Sequence, residues 1–414
     1  MKLRLFILPT MLVIGTLVLP TRLLFASGFQ INEHGARGMA QGGAFAARAS
    51  DPSAIFYNPA GLGFLGGMNI QVGTTLFFPS SRFRGPLQFN TNAETKMVNQ
   101  VFYPSTLYGT YSMENGFAFG LGVFSPYGLG SEWPSDWVGR GIATKTDLKT
   151  FYINPTVAYK VLPQLSIGAG FDFVFGSVVL QRQIVNFNPE GSLKLEGDGT
   201  GIGFNAGVLF KPSELFSIGL SYRSKVKLDL KGTATFTVPD QAKPLFPGGD
   251  VSTTMNMPSS IFAGLALFPM NNLAVEFDYQ WVGWKVYDVL PITFSKTTSA
   301  QQNTTLPQDY KDSYILRVGG EYLYKDWAFR AGFIFDKTPV PDKTLDPMLP
   351  DADHYDYNIG VGYKVSQNLS LDFAYMFASL KQRSTNLGDT QIGFDGTYNT
   401  HAHLFALSVG YRFE

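Results

Sequence analysis

The side chains of this chain that could support catalysis are few and scattered. The four histidines are His34, His354, His401 and His403, and cysteine is absent. No motif pairs a histidine with a nucleophilic serine, and no glycine-rich loop joins a strand to a helix in the pattern that cradles phosphate. His401 and His403 alternate along one segment, as either a two-histidine metal pair or part of an exposed rim. The sequence therefore predicts that the protein is not an enzyme and holds no cofactor and no metal.

Cationic side chains at two places could instead bind a carboxylate group. Side chains along a strand point alternately to its two faces, so Arg317 lies on the face opposite Leu316 and Val318. Each cation could equally make an ion pair or remain solvated. We predict Arg223 and Arg317 as candidate ligand-binding residues. A longer segment, the seventh predicted strand, places several basic side chains on its lumen side, namely Arg223, Lys225 and Lys227, with Asp229 beyond them.

The elements that must position these side chains are strands with one apolar and one polar face. Residues 273–281, 369–377 and 405–413 alternate large apolar or aromatic side chains with small or polar ones. Aromatic residues make up 15% of the chain, and charged residues only 15%, below the roughly 25% of a typical soluble protein. A wall between lipid and a wet lumen requires this pattern. The sequence predicts an all-β fold, a transmembrane β-barrel of an outer membrane.

The alternating pattern recurs in fourteen segments, each long enough to cross a membrane at a tilt. Short connections rich in Pro, Asn, Asp and Gly, such as 113–116 and 366–368, alternate with long polar ones, such as 80–100 and 288–311. Short turns on the periplasmic side and long loops outside are typical of outer-membrane barrels. A large soluble all-β protein is the alternative. The predicted strands are 67–79, 101–112, 117–127, 147–161, 165–183, 200–211, 215–236, 257–268, 273–287, 312–323, 327–337, 354–365, 369–381 and 402–413.

The N-terminus has the features of a secretory signal. Lys2 and Arg4 precede an apolar run over 5–19, and the small residues Ala26 and Ser27 predict cleavage after position 26. An uncleaved anchor helix is the alternative. The segment that follows is rich in Gly and Ala and lacks the strand pattern, so we expect it to fill the lumen as a plug. The predicted domains are a signal peptide over 1–26, a hatch over 27–66 and the barrel over 67–414.

Three motifs resemble the FadL/TodX family of outer-membrane transporters of long-chain fatty acids and aromatic hydrocarbons. Residues 27–33, with the sequence SGFQINE, are similar to the mature N-terminus of that family. Asn58-Pro59-Ala60 closes the N-terminal region, and Ser125-Pro126-Tyr127-Gly128-Leu129, followed by Glu132-Trp133, ends the third strand. Two positions depart from the family pattern. Pro126 stands where a small polar residue is expected, and Glu414 stands where a terminal aromatic residue is expected.

The resemblance implies a fourteen-stranded barrel with an N-terminal hatch that passively imports hydrophobic small molecules. It implies that a ligand is caught near the outer loops and enters an internal apolar pocket beside Phe29. The ligand then leaves sideways through a gap where the third strand kinks inward. The residues that the resemblance assigns to this lateral opening are Asn58, Pro59 and Ala60, packed against the kink, and Ser125, Pro126, Tyr127 and Gly128 within it.

Elementary chemistry supports an interruption at this point of the third strand. Pro126 has no backbone N–H to give to a ladder, and Gly128 tolerates backbone angles that other residues resist. The alternative is that Pro126 merely ends the strand at the start of a loop. A gap in the wall would leave backbone groups unpaired, at a cost of several kcal/mol each in lipid, unless protein or water fills it.

Several ligand classes and partners stay open at this point. Long-chain fatty acids are the predicted ligands because they are the broader family activity, and monoaromatic hydrocarbons, which would need neither Arg223 nor Arg317, are the alternative. A structural or adhesin-type barrel that transports nothing is the alternative from a different functional class. Zero formal net charge without a basic patch predicts no nucleic-acid partner. We expect a monomer in the outer membrane of a Gram-negative bacterium, in contact with outer-membrane lipid and inserted by the barrel-assembly machinery.

Overall fold

A single antiparallel sheet of fourteen long strands closes on itself as a barrel in the computed structural model, which describes residues 28–413. The predicted signal peptide and Glu414 lie outside the described residues. Three strands consist of two segments each. The strands are β1 Gly67–Arg84, β2 Ser105–Ser112, β3 Phe117–Phe124 and Gly128–Glu132, β4 Lys145–Leu162, β5 Leu165–Ile184, β6 Gly191–Phe210, β7 Phe216–Arg223 and Val226–Thr237, β8 Gly249–Met257 and Ser260–Met270, β9 Leu273–Val282, β10 Ser313–Tyr324, β11 Trp327–Asp336, β12 His354–Lys364, β13 Leu369–Leu380 and β14 Thr397–Arg412.

The barrel closes between the first and last strands. β1 pairs with β2 on one side and with β14 on the other, from Asn69 opposite Arg412 to Arg84 opposite Thr397. This closure confirms the predicted barrel of fourteen strands. No helix among residues 28–413 is long and apolar enough to cross a membrane. The long connections carry the short strands Glu94–Lys96, Val289–Phe294, Thr304–Pro307 and Arg383–Ser384 and the 3₁₀ helices Leu87–Phe89, Asp240–Leu245, Trp284–Val286 and Asp342–Thr344.

Residues 28–66 are mostly buried and contact the inward faces of strands on all sides of the barrel. They form two short helices, Ala36–Met39 and Ala54–Tyr57, and a 3₁₀ helix over Pro59–Phe64. Glycines in the wall let the two backbones approach, because a Cβ at Gly219 or Gly332 would collide with this segment. The segment therefore occupies the interior of the barrel. Its contacts include Gln71 on β1, Gly168 on β5, Ser217 on β7, Asp278 on β9, Gly332 on β11 and Ser408 on β14.

Carboxylates on β9 hold this segment in place. Asp278 accepts hydrogen bonds from the backbone N–H groups of Phe45 and Ala46, both at 3.0 Å. Glu276 accepts one from the N–H of Ala47 at 2.6 Å and pairs with the guanidinium of Arg48 at 2.7 Å. These residues are buried, so each carboxylate satisfies groups that water does not reach.

The outward face of the wall changes character along its height. Near the short turns, the outward face of β5 exposes the apolar side chains Ile167, Phe171, Phe173 and Phe175. Towards the long loops, the same face continues with the polar Ser177. The inward faces change from polar near the short turns to apolar near the long loops. Polar groups such as Asn154, Asp172 and Asn205 surround the N-terminal segment, and apolar side chains such as Val178, Leu195 and Leu230 line the interior nearer the long loops.

In β7 and β8 the two faces are exchanged by a break, whereas β5 and β6 are unbroken and keep the same residues on each face. Arg223 lies opposite Ser260, and Val226 lies opposite Met257, so the two strands keep one register across both breaks. Relative to β6, however, β7 gains one residue, because Arg223 lies opposite Asn205 but Asp229 lies opposite Thr200. A one-residue shift turns every later side chain to the other face.

The predicted lumen position of Lys225 and Lys227 is therefore wrong. Arg223 is buried inside the barrel, but Lys227 lies beyond the break and is exposed, with an ion pair to Asp229 at 2.9 Å. Leu228 takes the inward position instead and is fully buried. The basic side chains that alternation assigned to one face therefore lie on both sides of the wall, with Arg223 inside and Lys227 outside.

Candidate ligand pathway

The third strand contains an inward kink at the predicted position. Phe124 pairs with Tyr152, and the next paired residue of β3, Gly128, lies opposite Lys149 on β4. Three residues of β3 therefore stand against two of β4. An extra residue of this kind bends a strand and leaves part of its backbone without a ladder partner.

The N-terminal segment supplies the missing partners at the kink. The N–H of Ile31 donates to the carbonyl of Pro126 at 2.8 Å, and the N–H of Gly128 donates to the carbonyl of Phe29 at 3.0 Å. Gln30 thereby forms an antiparallel bridge with Tyr127. Residues 29–31 act as a short inner strand, and we use this name for them below.

Side chains of the wall fix the kink from two further directions. The hydroxyl of Thr150 on β4 donates to the carbonyl of Tyr127 at 2.6 Å. The hydroxyl of Tyr127 donates to the carbonyl of Pro258, in the break of β8, at 3.0 Å. The kink in β3 and the break in β8 are therefore joined across the interior.

Hydrogen bonding between β2 and β3 stops below the kink. Their last paired residues are Leu107 and Val123, and β2 does not continue beside the upper segment of β3. Among the described residues, that segment pairs with β4 and otherwise has single backbone hydrogen bonds from Gly128 to Phe29 and from Val98 to Glu132. The ring of Phe102 covers the resulting space by packing on Gly130, where a Cβ would collide with it. The wall thus has a gap at this point that side chains fill.

A cavity of about 580 Å³, the gap cavity, extends to this space. Its inward walls include Glu33 and Met376, which are buried in the interior. Its other walls include Phe151 and Tyr103, whose side chains are 52% and 72% exposed on the outer surface. The gap cavity therefore borders both sides of the barrel wall.

A smaller apolar pocket of about 80 Å³ lies beside the gap cavity, nearer the long loops. Phe29 lines both and is 3% exposed. Its ring packs edge-on against Trp284 and Tyr287 from the loop after β9, with centroids 4.7 and 5.3 Å away. Phe29 therefore lies between the two spaces, together with Leu129, Leu148 and Leu349, which also line both. The apolar pocket is lined mainly by aliphatic side chains, including Leu129, Leu148, Val178, Leu180, Leu195 and Leu230.

A family model described as outer membrane protein transport protein (OMPP1/FadL/TodX) matches residues 17–413, nearly the whole chain. The chain belongs to this family. Members of the OMPP1/FadL/TodX family transport hydrophobic substrates across the outer membrane, and they are transporters and channels rather than enzymes. The protein is accordingly an outer-membrane protein of a Gram-negative bacterium.

Individual relatives span both substrate classes of the OMPP1/FadL/TodX family. The chain is 25% identical to a long-chain fatty acid transport protein of Salmonella typhi, over 94% of this chain and 95% of that protein. Among solved structures, it superposes on a Pseudomonas aeruginosa FadL homologue with a TM-score of 0.84 and 24% identity, covering 94% and 100% of the two chains. It also superposes on the Pseudomonas putida toluene transporter TodX with a TM-score of 0.75 and 20% identity, covering 92% and 98%.

Asn58-Pro59-Ala60 lies between the N-terminal segment and the wall. The Asn58 amide donates to the carbonyls of Ala46 at 2.8 Å and Val208 at 3.0 Å, and its oxygen accepts from the N–H of Ala60 at 3.2 Å. Pro59 packs on Gly168 of β5. These contacts lie at β5 and β6, and the predicted role of the motif in the lateral opening stays a prediction.

A neighbouring residue of the hatch connects this motif to the kinked strand. Ile55, two residues before Tyr57, packs on Gly120 and Gly122 of β3, where a Cβ would collide with it. Its carbonyl accepts a hydrogen bond from the amide of Asn205 on β6 at 2.9 Å. Ile55 therefore joins the N-terminal segment near Asn58 to β3 just below the kink.

The two arginines predicted as ligand-binding residues both point into the barrel and have protein partners. Arg223 is buried and pairs with Asp172 at 2.7 Å. Arg317 is buried and donates to the side-chain oxygen of Asn32 at 2.9 Å, with its guanidinium 5.6 Å from the ring centroid of Phe262. Neither arginine lines the gap cavity or the apolar pocket. Their role as carboxylate ligands stays a prediction.

Carboxyl groups from the loop between β11 and β12 border both spaces. Asp346 lines the apolar pocket, and burial raises its pKa to about 6. Asp351 lines the gap cavity, and burial raises its pKa as well. Asp351 accepts hydrogen bonds from the N–H of Gly28 at 3.2 Å and from the hydroxyl of Thr338 at 2.7 Å. These groups would oppose the approach of a carboxylate.

Proposed function

We propose that this protein imports hydrophobic small molecules passively, with long-chain fatty acids as its principal ligands. In this proposal, a ligand occupies the apolar pocket, passes Phe29 into the gap cavity and leaves sideways between β2 and β3. The observation that carries the proposal is the extent of the gap cavity, which borders inward-facing Met376 and outward-facing Phe151. A hydrophobic ligand could follow this route without entering bulk water.

The energetics of an acyl chain favour such a route over an open pore. Each CH₂ group that leaves water contributes about 0.8 kcal/mol, so a long chain is stabilised in the apolar pocket and again in the bilayer. Release into the membrane then requires no energy source when uptake is downhill. The apolar pocket has room for only a few methylene groups, so a long ligand must extend past Phe29.

Uptake of monoaromatic hydrocarbons is the second candidate. Two observations favour an uncharged, compact ligand: the small volume of the apolar pocket, and the carboxyl groups of Asp346 in that pocket and of Asp351 in the gap cavity. The aromatic rings of Phe29, Tyr287 and Tyr310 line the same pocket and could pack edge-on against a benzene ring.

A disulfide that locks the inner strand to the kink tests the proposed route. Two hydrogen bonds flank the Gln30–Tyr127 pair, so this is a non-hydrogen-bonded antiparallel pair, with Cα atoms about 4.5 Å apart. That separation lies within the usual range of disulfides, about 4.4–6.8 Å. The chain has no cysteine of its own, so Q30C/Y127C can form only the intended bond within one molecule.

The measurement is uptake of labelled oleate and labelled toluene by cells that lack their own carrier. Oxidised Q30C/Y127C should reduce uptake to that of cells without the protein, and reductant should restore it for the true ligand class. The single variants Q30C and Y127C are the matched controls and should not respond to reductant. Wild-type uptake by the fully oxidised pair would refute the route. Uptake of neither ligand by the wild-type protein would favour the structural or adhesin role.

A further inference from the structure

A basic patch lies on the outward surface of β1. The register between β1 and β14 is unbroken from Asn69 to Arg84, so the even-numbered side chains of β1 share one face. Leu76 and Phe78 on this face are 39% and 36% exposed and belong to the lipid-facing band. Arg82 and Arg84 follow on the same face, with side chains 52% and 60% exposed.

The short strand Glu94–Lys96 adds to this patch. It pairs with the end of β1, placing Lys96 opposite Arg82 and Glu94 opposite Arg84, so all four side chains lie on one face. Arg82 and Arg84 share Glu94, at 2.9 and 3.6 Å. Lys96 has no ion pair among residues 28–413. Three cations and one anion leave the patch with an excess of two positive charges.

The outer surface of β6 and β7 above the break is balanced. Three basic side chains accompany three acidic ones there, and Lys225 lies exposed at the break itself. Lys194 pairs with Glu196 at 2.5 Å, and Lys227 pairs with Asp229 at 2.9 Å. These outward-facing residues are Lys194, Lys227 and Lys231 with Glu196, Asp198 and Asp229. The excess of positive charge on β1 is therefore not a general property of the outer wall.

The patch lies just beyond the headgroup layer of the outer leaflet, within reach of it. Arg82 lies four residues beyond Phe78, which is roughly 13 Å along a strand and less in height because barrel strands tilt by about 35–45°. Headgroups extend about 5–8 Å beyond the hydrocarbon on each side of a bilayer. The long arginine side chains can reach back into this layer.

We propose that Arg82, Arg84 and Lys96 form a binding surface for the phosphate groups of lipopolysaccharide, the lipid of the outer leaflet. Guanidinium groups bind phosphate through paired N–H donors, and two neighbouring arginines can engage one phosphate together. His401 lies opposite Ser80 on the same face and adds a further hydrogen-bonding group at the lower edge of the patch. The surface would hold a lipid molecule beside β1 and β14.

The test is lipopolysaccharide binding to the delipidated, folded full-length protein in detergent, measured by native mass spectrometry. R82Q/R84Q removes two charges from the patch, and K194Q/K227Q removes two from the balanced region as the matched control. We expect at least tenfold weaker binding for R82Q/R84Q and wild-type binding for K194Q/K227Q. Wild-type protein should also bind dephosphorylated lipopolysaccharide at least tenfold more weakly than the phosphorylated form.

Two outcomes would overturn the proposal. One is equal binding by R82Q/R84Q and the wild-type protein, and the other is equal binding of the phosphorylated and dephosphorylated lipids. Heat-dependent migration on gels verifies that each variant forms the barrel. If R82Q/R84Q does not fold, lipopolysaccharide binding by K96Q and the comparison of phosphorylated with dephosphorylated lipopolysaccharide still test the proposal.

Discussion

Replacement of Asn58 by alanine should release the hatch from the barrel wall. The side chain is fully buried and makes three hydrogen bonds, to Ala46, Val208 and Ala60. Its loss leaves the carbonyl of Ala46 and the N–H of Ala60 without these partners in a dry interior. Each such group costs about 1–3 kcal/mol, so opening of the hatch should become easier by about 3 kcal/mol. This corresponds to a roughly hundredfold larger open population.

Hydrogen exchange measured by mass spectrometry tests this expectation directly. Peptides covering residues 36–62 should exchange roughly a hundredfold faster in Asn58→Ala, whereas peptides from β11 to β13 should exchange as in the wild-type protein. Asn69→Ala is the matched control, because the amide of Asn69 bonds the carbonyl of Gly66 at an exposed site. If Asn58→Ala exchanges like Asn69→Ala, the argument that Asn58 anchors the hatch is wrong.

Two further predictions follow from contacts between the hatch and the wall. Gly219→Ala should lower the unfolding temperature, because its Cβ would collide with the backbone of Ala46, whereas Gly109→Ala, with nothing within 4 Å of the added Cβ, should not. Thermal scanning of both variants checks this, and equal temperatures would contradict it. Arg223→Gln leaves the carboxylate of Asp172 buried without its partner, which costs about 3–5 kcal/mol. It should therefore lower stability and leave the ratio of oleate to toluene uptake unchanged. A selective loss of oleate uptake would instead support Arg223 as a carboxylate ligand.

The wall of the barrel was predictable because alternation is a local property of the sequence. The kink was also predictable, since Pro126 cannot donate to a ladder, whereas Pro258, which lies in the break of β8, was predicted to lie within a continuous strand over 257–268. The break in β7 was not visible, because Ser224 and Lys225 are neither proline nor glycine. The apolar residues are even-numbered on both sides of this break, so Ile218 to Leu230 has the pattern of one uninterrupted strand.

The partners within the pathway were not predictable from local pattern. Alternation places Asp278 and Arg317 on the inward face, but it does not reveal that Asp278 binds the hatch backbone or that Arg317 binds Asn32. The packing of Phe29 against Trp284 joins positions more than 250 residues apart, and nothing in either neighbourhood indicates it. Such contacts depend on how the closed sheet brings distant strands together.

The breaks in β7 and β8 also divide the barrel into two regions with opposite tolerance to mutation. Below them, a lysine or arginine in place of outward-facing Leu220 would meet hydrocarbon, where it costs up to about 2–4 kcal/mol near the bilayer centre. Above them, the next outward positions already carry Lys227 and Asp229, and the apolar side chains form an interior like that of a water-soluble barrel. The part that holds the proposed ligand can therefore diversify under the constraints of soluble proteins, while the part in the membrane stays under the constraints of lipid.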